Sequence, residues 1–294
     1  MRRVSCCALV IAMAGNAFAD DPGEPAVPPP QVPPPGFVTL DHMDATTHGG
    51  VEFSYLVPNG SDGLSETIMR FEAHAEYVDH DSGIGGYVQM PISYFSESAG
   101  SVLPGESATG IGDLEIGGLY LRDFSQYGVV VVGHGGVSIP TASTSELDHF
   151  ANYAASVSRI ADVYLSLPRS TAVRLGLSPI WRSGRIFARV DLGLDLDAGA
   201  ADNQRYDTAL RADLGVGVIV DQISVTAEMT NAYDYTQSST AQAMPSGSSW
   251  IDTAALAVRF RWGHVEPYAA VVAPLESDSH AIMNLAITAG IDAR

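Results

Sequence analysis

The chain has 294 residues, and its 34 Asp and Glu outnumber 15 basic residues, all of them arginine, for a net charge of −19. That balance excludes nucleic acid as an expected partner, since phosphate backbones recruit basic surfaces. Both cysteines, Cys6 and Cys7, fall at the extreme N-terminus, so thiolate chemistry, disulfides and cysteine-based zinc sites are not expected further along.

Arg2 and Arg3, the apolar run from Ala8 to Ala14 and the small-residue pattern Ala17-Phe18-Ala19 read as a secretory signal peptide over residues 1–19. The run is shorter than the about 20 apolar residues a spanning helix needs. Cys6 and Cys7 precede its apolar centre, where a lipid-modified cysteine would follow it. Residues 20–36 carry Pro22, Pro25, Pro28, Pro29, Pro30, Pro33, Pro34 and Pro35, too many missing amide donors for helix or sheet, and predict an extended polyproline-like tail. Residues 37–64 mix turn signals with one strand around Val51 to Leu56. They read either as a disordered lead-in or as a plug inside a structure built by the rest of the chain.

From residue 65 onward, segments of alternating character are bounded by Gly, Pro, Asp, Asn or Ser, the signature of strands. Twelve are expected, at 65–78, 84–97, 109–122, 127–140, 156–167, 170–181, 184–197, 205–220, 222–235, 250–262, 264–275 and 280–292. In the seventh, Ile186, Ala188, Val190, Leu192, Leu194 and Leu196 share one face, while Arg189, Asp191, Gly193, Asp195 and Asp197 share the other. The eighth repeats this, with Leu210, Ala212, Leu214, Val216 and Val218 opposite Asp207, Arg211, Asp213, Gly215 and Gly217. Leu114, Ile116 and Tyr120 oppose Asp113 and Glu115. Near the end, Leu256, Val258, Phe260 and Trp262 oppose Thr253, Arg259 and Arg261, and Met283, Leu285, Ile287 and Ile291 oppose Asn284, Thr288 and Asp292.

Such strands build either a soluble sandwich or a membrane barrel, and their length favours the barrel: sandwich strands run to about 5–6 residues, whereas a tilted membrane span needs about 9–11. Trp181, Tyr206, Phe260, Trp262 and Tyr268 near strand ends match an aromatic girdle. Turns are short at 182–183 and 263, and connections are long and polar at 98–108, 141–155 and 236–249, as expected of two unlike rims. The fold class is therefore an all-β transmembrane antiparallel up-and-down barrel of about twelve strands over residues 65–294.

The segment Thr109-Gly110-Ile111-Gly112-Asp113-Leu114-Glu115-Ile116-Gly117-Gly118-Leu119-Tyr120, followed by Val137-Ser138-Ile139-Pro140-Thr141, resembles the phenol-degradation meta-pathway outer-membrane protein family. The resemblance implies a transporter barrel, related in architecture to the long-chain fatty-acid channels, that passes small, often hydrophobic compounds across the outer membrane of a Gram-negative-type cell. It brings no catalytic residues. The chain departs from the usual barrel ending, since Ile291-Asp292-Ala293-Arg294 lacks a terminal aromatic residue.

The charged faces nominate Asp113, Glu115, Arg174, Arg189, Asp191, Asp195, Asp197, Asp207, Arg211, Asp213, Glu228, Arg259 and Arg261 as lumen-lining. Lining an open pore, this acidic excess would favour cations or polar solutes. The same groups would alternatively pair across strands and fill the interior without conducting. The expected partners are outer-membrane lipid and a small solute, with no cofactor. His42 and His48 beside Asp41 and Asp44, and His74 and His80 beside Asp79 and Asp81, lack diagnostic ligand spacing, and no metal is expected from them. A non-conducting barrel that binds through its long loops is the alternative function. An outer-membrane lipase built on His134 and a nearby serine (138, 143, 145, 156 or 158) is the third, although Gly133-His134-Gly135-Gly136 is explained by crowding alone. No enzyme activity is expected.

Overall fold

Alternation becomes register in the computed structural model, which describes residues 35–59, 66–98, 105–143, 145–167, 170–200, 205–206, 208–234, 241–242 and 250–294. The signal-peptide reading and nearly all of the proline-rich tail lie outside the described residues. The strands are β1 (His48–Pro58), β2 (Glu66–Asp79), β3 (Ile84–Glu97), β4 (Glu106–Ile111), β5 (Leu114–Phe124), β6 (Val129–Ile139), β7 (Ser170–Ser183), β8 (Ile186–Ala200), β9 (Arg205–Tyr206), β10 (Ala209–Val220), β11 (Ile223–Asp234), β12 (Ala241–Gln242), β13 (Trp250–Phe260), β14 (Val265–Pro274) and β15 (Met283–Ala293). Two helices, α1 (Glu146–Ser156) and α2 (Ser277–Ile282), and a 3-10 stretch at Ile160–Ser166 lie between them.

β4 and β5 are halves of one strand beside β3, interrupted at Gly112 and Asp113. β9 and β12 form a separate two-residue parallel pair. The remaining strands pair antiparallel with their neighbours, and β1 closes the circle by pairing with β2 on one side and β15 on the other, Gly49 lying opposite Ala293. The result is a closed twelve-strand barrel, which leaves no exposed sheet edge.

The connections sort cleanly. Five tight turns, β2–β3, β5–β6, β7–β8, β10–β11 and β13–β14, share one rim with the start of β1 and the end of β15, and the strand ends that flank the longer connections lie at the other. Gly184 and Gly263 supply left-handed backbone (φ +58° and +63°) at two of these turns, and Asp221 does so at a third (φ 56°).

Outward faces are apolar. Val51, Ile116, Leu192, Leu256 and Ile287 stand exposed while their strand neighbours Glu52, Glu115, Asp191, Ala257 and Thr288 are buried. The polarity is inverted relative to a water-soluble protein, as lipid requires of a barrel. Exposed Tyr77, Phe124, Tyr127, Trp181, Phe260 and Trp262 gather toward the short-turn rim. Tyr268 does not join them: it points inward and donates to Glu52 Oε2 at 3.0 Å. Met283 also turns inward, because the β1–β15 register slips at Val57/Pro58 and inverts the face beyond it.

Two expectations are corrected. Residues 156–167 are not a strand but the end of α1 and the 3-10 stretch, buried throughout. The barrel also begins at His48 rather than 65, since β1 is a full wall strand longer than the expected Val51 to Leu56. The count of twelve survives because one strand replaces the other. Closure explains the exchange: once β1 seals the wall, 156–167 has no edge to join and is buried inside instead.

Candidate functional site

Two inserts occupy the barrel interior. From the long-loop rim, α1 is capped by Ser145, whose side chain accepts from the Asp148 amide at 3.2 Å. Its Ala151, Ala154 and Ala155 pack on Leu56, Ile68, Phe95 and Ala108 of the wall. The 3-10 stretch comes next, with Ile160, Val163 and Tyr164 against Ala172, Ala209, Ala232 and Ile251. The break at Gly112 and Asp113 fits it closely, the Asp113 amide donating to Leu165 O at 2.7 Å.

At the other end lies segment 37–47, which has no regular secondary structure up to Thr47 and is held both by apolar packing, with Phe37, Val38, Leu40, Met43 and Ala45 buried against the wall, and by polar bonds. Glu228 accepts from the amides of Val38 (2.9 Å) and Thr39 (2.6 Å) and from Thr39 Oγ1 (2.8 Å). Arg189 donates to Met43 O (2.9 Å), Arg159 donates to Leu40 O (2.5 Å) and to Val38 O, and the Asp44 amide donates to Glu76 Oε2 (3.1 Å). Gly215 provides the berth for Phe37, whose ring lies where a Cβ would project, and Phe37 packs on Phe187 at 5.3 Å.

A charge network joins the inserts to the wall. Arg174 pairs with Glu115, with Asp162 (3.2 Å) and with Asp195 (3.2 Å). Arg211 joins Asp41 (2.6 Å) and Asp195 (3.0 Å), while Arg159 joins Asp162 (2.5 Å) and lies 3.7 Å from both Glu52 and Glu72. Arg70 binds Glu72 and lies 3.6 Å from Asp162. Burial opposes ionisation of Asp41, but Arg211, His134 and Arg174 outweigh it and hold the carboxyl well below its usual range. Burial likewise works against charge on Asp162, as does Glu72, yet Arg159, Arg174 and Arg70 keep it lowered. Among the described buried residues, fourteen Asp and Glu stand against six Arg, so the interior is acidic in sum, as the whole chain is.

Of the nominated lumen residues, Asp113, Glu115, Arg174, Arg189, Asp191, Asp195, Arg211, Asp213, Glu228 and Arg259 are buried on the inward face. Asp197 is partly buried near the long-loop end of β8. Arg261 lies just beyond β13 with its side chain 38% exposed, paired at 2.7 Å to the buried Glu266 of β14 at the short-turn end. Asp207 lies outside the described residues. The nominations missed Asp41, Glu52, Arg70, Glu72, Arg159 and Asp162. Period-two spacing at Arg70, Glu72, His74 and Glu76 was a readable signal for the β2 members; nothing comparable marked Asp41, Arg159 or Asp162.

His134 lies beneath the wall at Gly176, and Tyr87 fills the space above Gly117 and Gly136, so crowding accounts for these three glycines, whereas Gly133 faces outward, where a Cβ would meet nothing closer than 4.0 Å. Its Nε2 is 3.4 Å from Asp41 Oδ2. Ser138 accepts from the Ala172 amide, Ser143 from the Ile111 amide, and Ser156 and Ser158 donate to backbone carbonyls; none of these contacts makes a serine–histidine pair. Two buried groups have metal-ligand chemistry, His42 with Glu72 and His74, and Asp44 with His48 and Glu76; within each, one ligand atom per residue lies within 4.8 Å of the others. His74 therefore joins His42 across the chain rather than its sequence neighbour His80, which sits in the exposed β2–β3 turn.

No protein-family model matches the chain, and no curated protein matches it in sequence. The fold is similar to that of an outer membrane channel from Pseudomonas putida F1, at a TM-score of 0.61 and 12% identity over 90% of this chain and 99% of that one. It is similar as well to the KdgM porin, at a TM-score of 0.50 and 8% identity over 83% of this chain and 98% of that one. At these identities the likeness is one of fold.

Proposed function

We propose that the protein is a channel of the outer membrane of a Gram-negative-type cell, passing small molecules, with segment 37–47 as the internal element whose release opens the short-turn end. The observation that carries this reading is how that segment is held. It adds no strand to the wall, and hydrogen bonds to Glu228, Arg159, Arg189 and Glu76 tie it to a charged lumen. A barrel that only needed a filled interior would do so at lower desolvation cost with apolar side chains. The fold shared with a channel and a porin supports the reading, as does the resemblance of residues 109–141 to the phenol-degradation outer-membrane family, which extends the expected solutes to small hydrophobic compounds.

The test is solute flux into liposomes. Purified full-length chain and a variant lacking residues 37–46 are reconstituted side by side and challenged with sugars and aromatic acids of graded size. Swelling with small solutes, increased by the deletion, is expected. Flux by neither form rejects the channel and favours a non-conducting barrel acting through its long loops.

A further inference from the structure

We propose that His42, Glu72 and His74 form a binding site for a divalent transition metal of the zinc class, which fastens segment 37–47 to the wall. It does not depend on the barrel conducting.

The three residues come from two separate stretches. Glu72 and His74 alternate along β2 and face inward, and His42 reaches them from the internal segment. The His42 and His74 rings stack at 3.8 Å with 19° between their planes, and His42 Nε2 meets Glu72 Oε1, so metal binding requires one ring to turn out of the stack until both in-plane lone pairs meet at the ion. Two imidazoles and one carboxylate are borderline donors that suit Zn2+ and its neighbours, and three protein ligands are sufficient for a tetrahedral site completed by a fourth, exchangeable one.

The surrounding groups have the arrangement of a ligand-orienting shell. His74 Nε2 lies 3.0 Å from Asp292 Oδ1, and Asp292 is itself held by Arg259. With Nε2 carrying the proton toward that carboxylate, Nδ1 keeps its lone pair, and Nδ1 is buried without a hydrogen-bond partner among the described residues. A carboxylate behind a histidine in this way fixes tautomer and ring orientation at metal sites. Glu72 divides its oxygens similarly, Oε2 bound by Arg70 and Oε1 facing His42. The arginines near Glu72 oppose a cation, but Glu52, Asp162 and Asp292 lie in the same network and the interior is acidic in sum. A plain structural role accounts for the His42–Glu72 bond, yet leaves His74 Nδ1 unsatisfied in a buried place.

The experiment uses the protein purified in detergent without an affinity tag, stripped with chelator and titrated with Zn2+ alone. Metal retained after gel filtration is counted and the Tm is followed. One Zn2+ per chain with a raised Tm is expected. His42→Gln or His74→Gln should weaken binding at least tenfold, Asp292→Asn by about 10–100-fold, and His80→Gln should leave it unchanged, because that residue stands exposed in the β2–β3 turn. His42 lies in no strand, so His42→Gln tests the site even where a wall variant fails to fold, each fold being checked by heat-modifiable migration. The proposal is overturned if wild type retains no Zn2+, if binding is unaltered in both the His42 and the His74 variant, or if only His80→Gln abolishes it.

Discussion

Glu228 accepts three hydrogen bonds from a stretch of two residues, Val38 and Thr39, and so holds the start of the internal segment. Bonds to a charged acceptor contribute about 1.5–3 kcal/mol each, so Glu228→Ala should speed hydrogen exchange at the Val38 and Thr39 amides by at least tenfold while strand amides in β6 and β7 stay protected. Unchanged exchange would place the hold elsewhere. Arg174 sits deeper, among Glu115, Asp162 and Asp195, and Arg174→Leu strands these carboxylates; removing one partner of a buried pair costs about 3–5 kcal/mol, to be read as a lowered urea midpoint. The lumen acids are not equivalent. Asp195 bridges Arg174 and Arg211, so Asp195→Asn should lower stability. Asp197 is partly exposed near the end of β8, and Asp197→Asn should leave stability alone and shift the reversal potential away from cations under a salt gradient. These inward positions were legible because charge alternates with Leu and Val along β8 and β10. Their partners were not, since Asp41 and Asp162 reach the network from segments without strand periodicity.

At the scale of elements, residues 156–167 and β1 carry the lesson. Val157, Ala161, Val163, Leu165 and Leu167 alternate with Ser156, Ser158, Asp162 and Ser166 much as in a wall strand, broken only by Arg159 on the first face and Ile160 and Tyr164 on the second, so local pattern alone did not send them inside. Loop lengths could have. Counting 156–167 as a strand puts the tight turns at 79–83 and 182–183 on opposite rims, whereas counting β1 in its place brings every tight turn to one rim. The Gly- and Pro-flanked stretch around Val51 hid β1, whose inward face carries Glu52 and Ser54 in the same period-two manner as its neighbours. The insert itself depends on a local device, the Ser145 cap of α1. Ser145→Ala should cost about 1 kcal/mol, seen as loss of helical circular dichroism on heating before the barrel unfolds; coincident loss of both would show that α1 and wall are one cooperative unit.

For the whole molecule, the barrel was legible from the outward Leu, Val and Ile, and its contents were not, because filling a lumen is decided by shape and charge pairing among distant residues. Wall and contents differ in how they are joined: the wall by antiparallel ladders closing at β1 and β15, segment 37–47 by side-chain hydrogen bonds, ion pairs and apolar packing, outside any ladder. An element so attached is suited to move without disturbing the wall. The most direct test of the proposed channel is conductance across a planar bilayer, comparing the full chain with the variant lacking residues 37–46. The account predicts rare, small openings for the full chain and larger, longer, cation-preferring steps for the variant. Silence from both, with each migrating as a folded barrel, would contradict it.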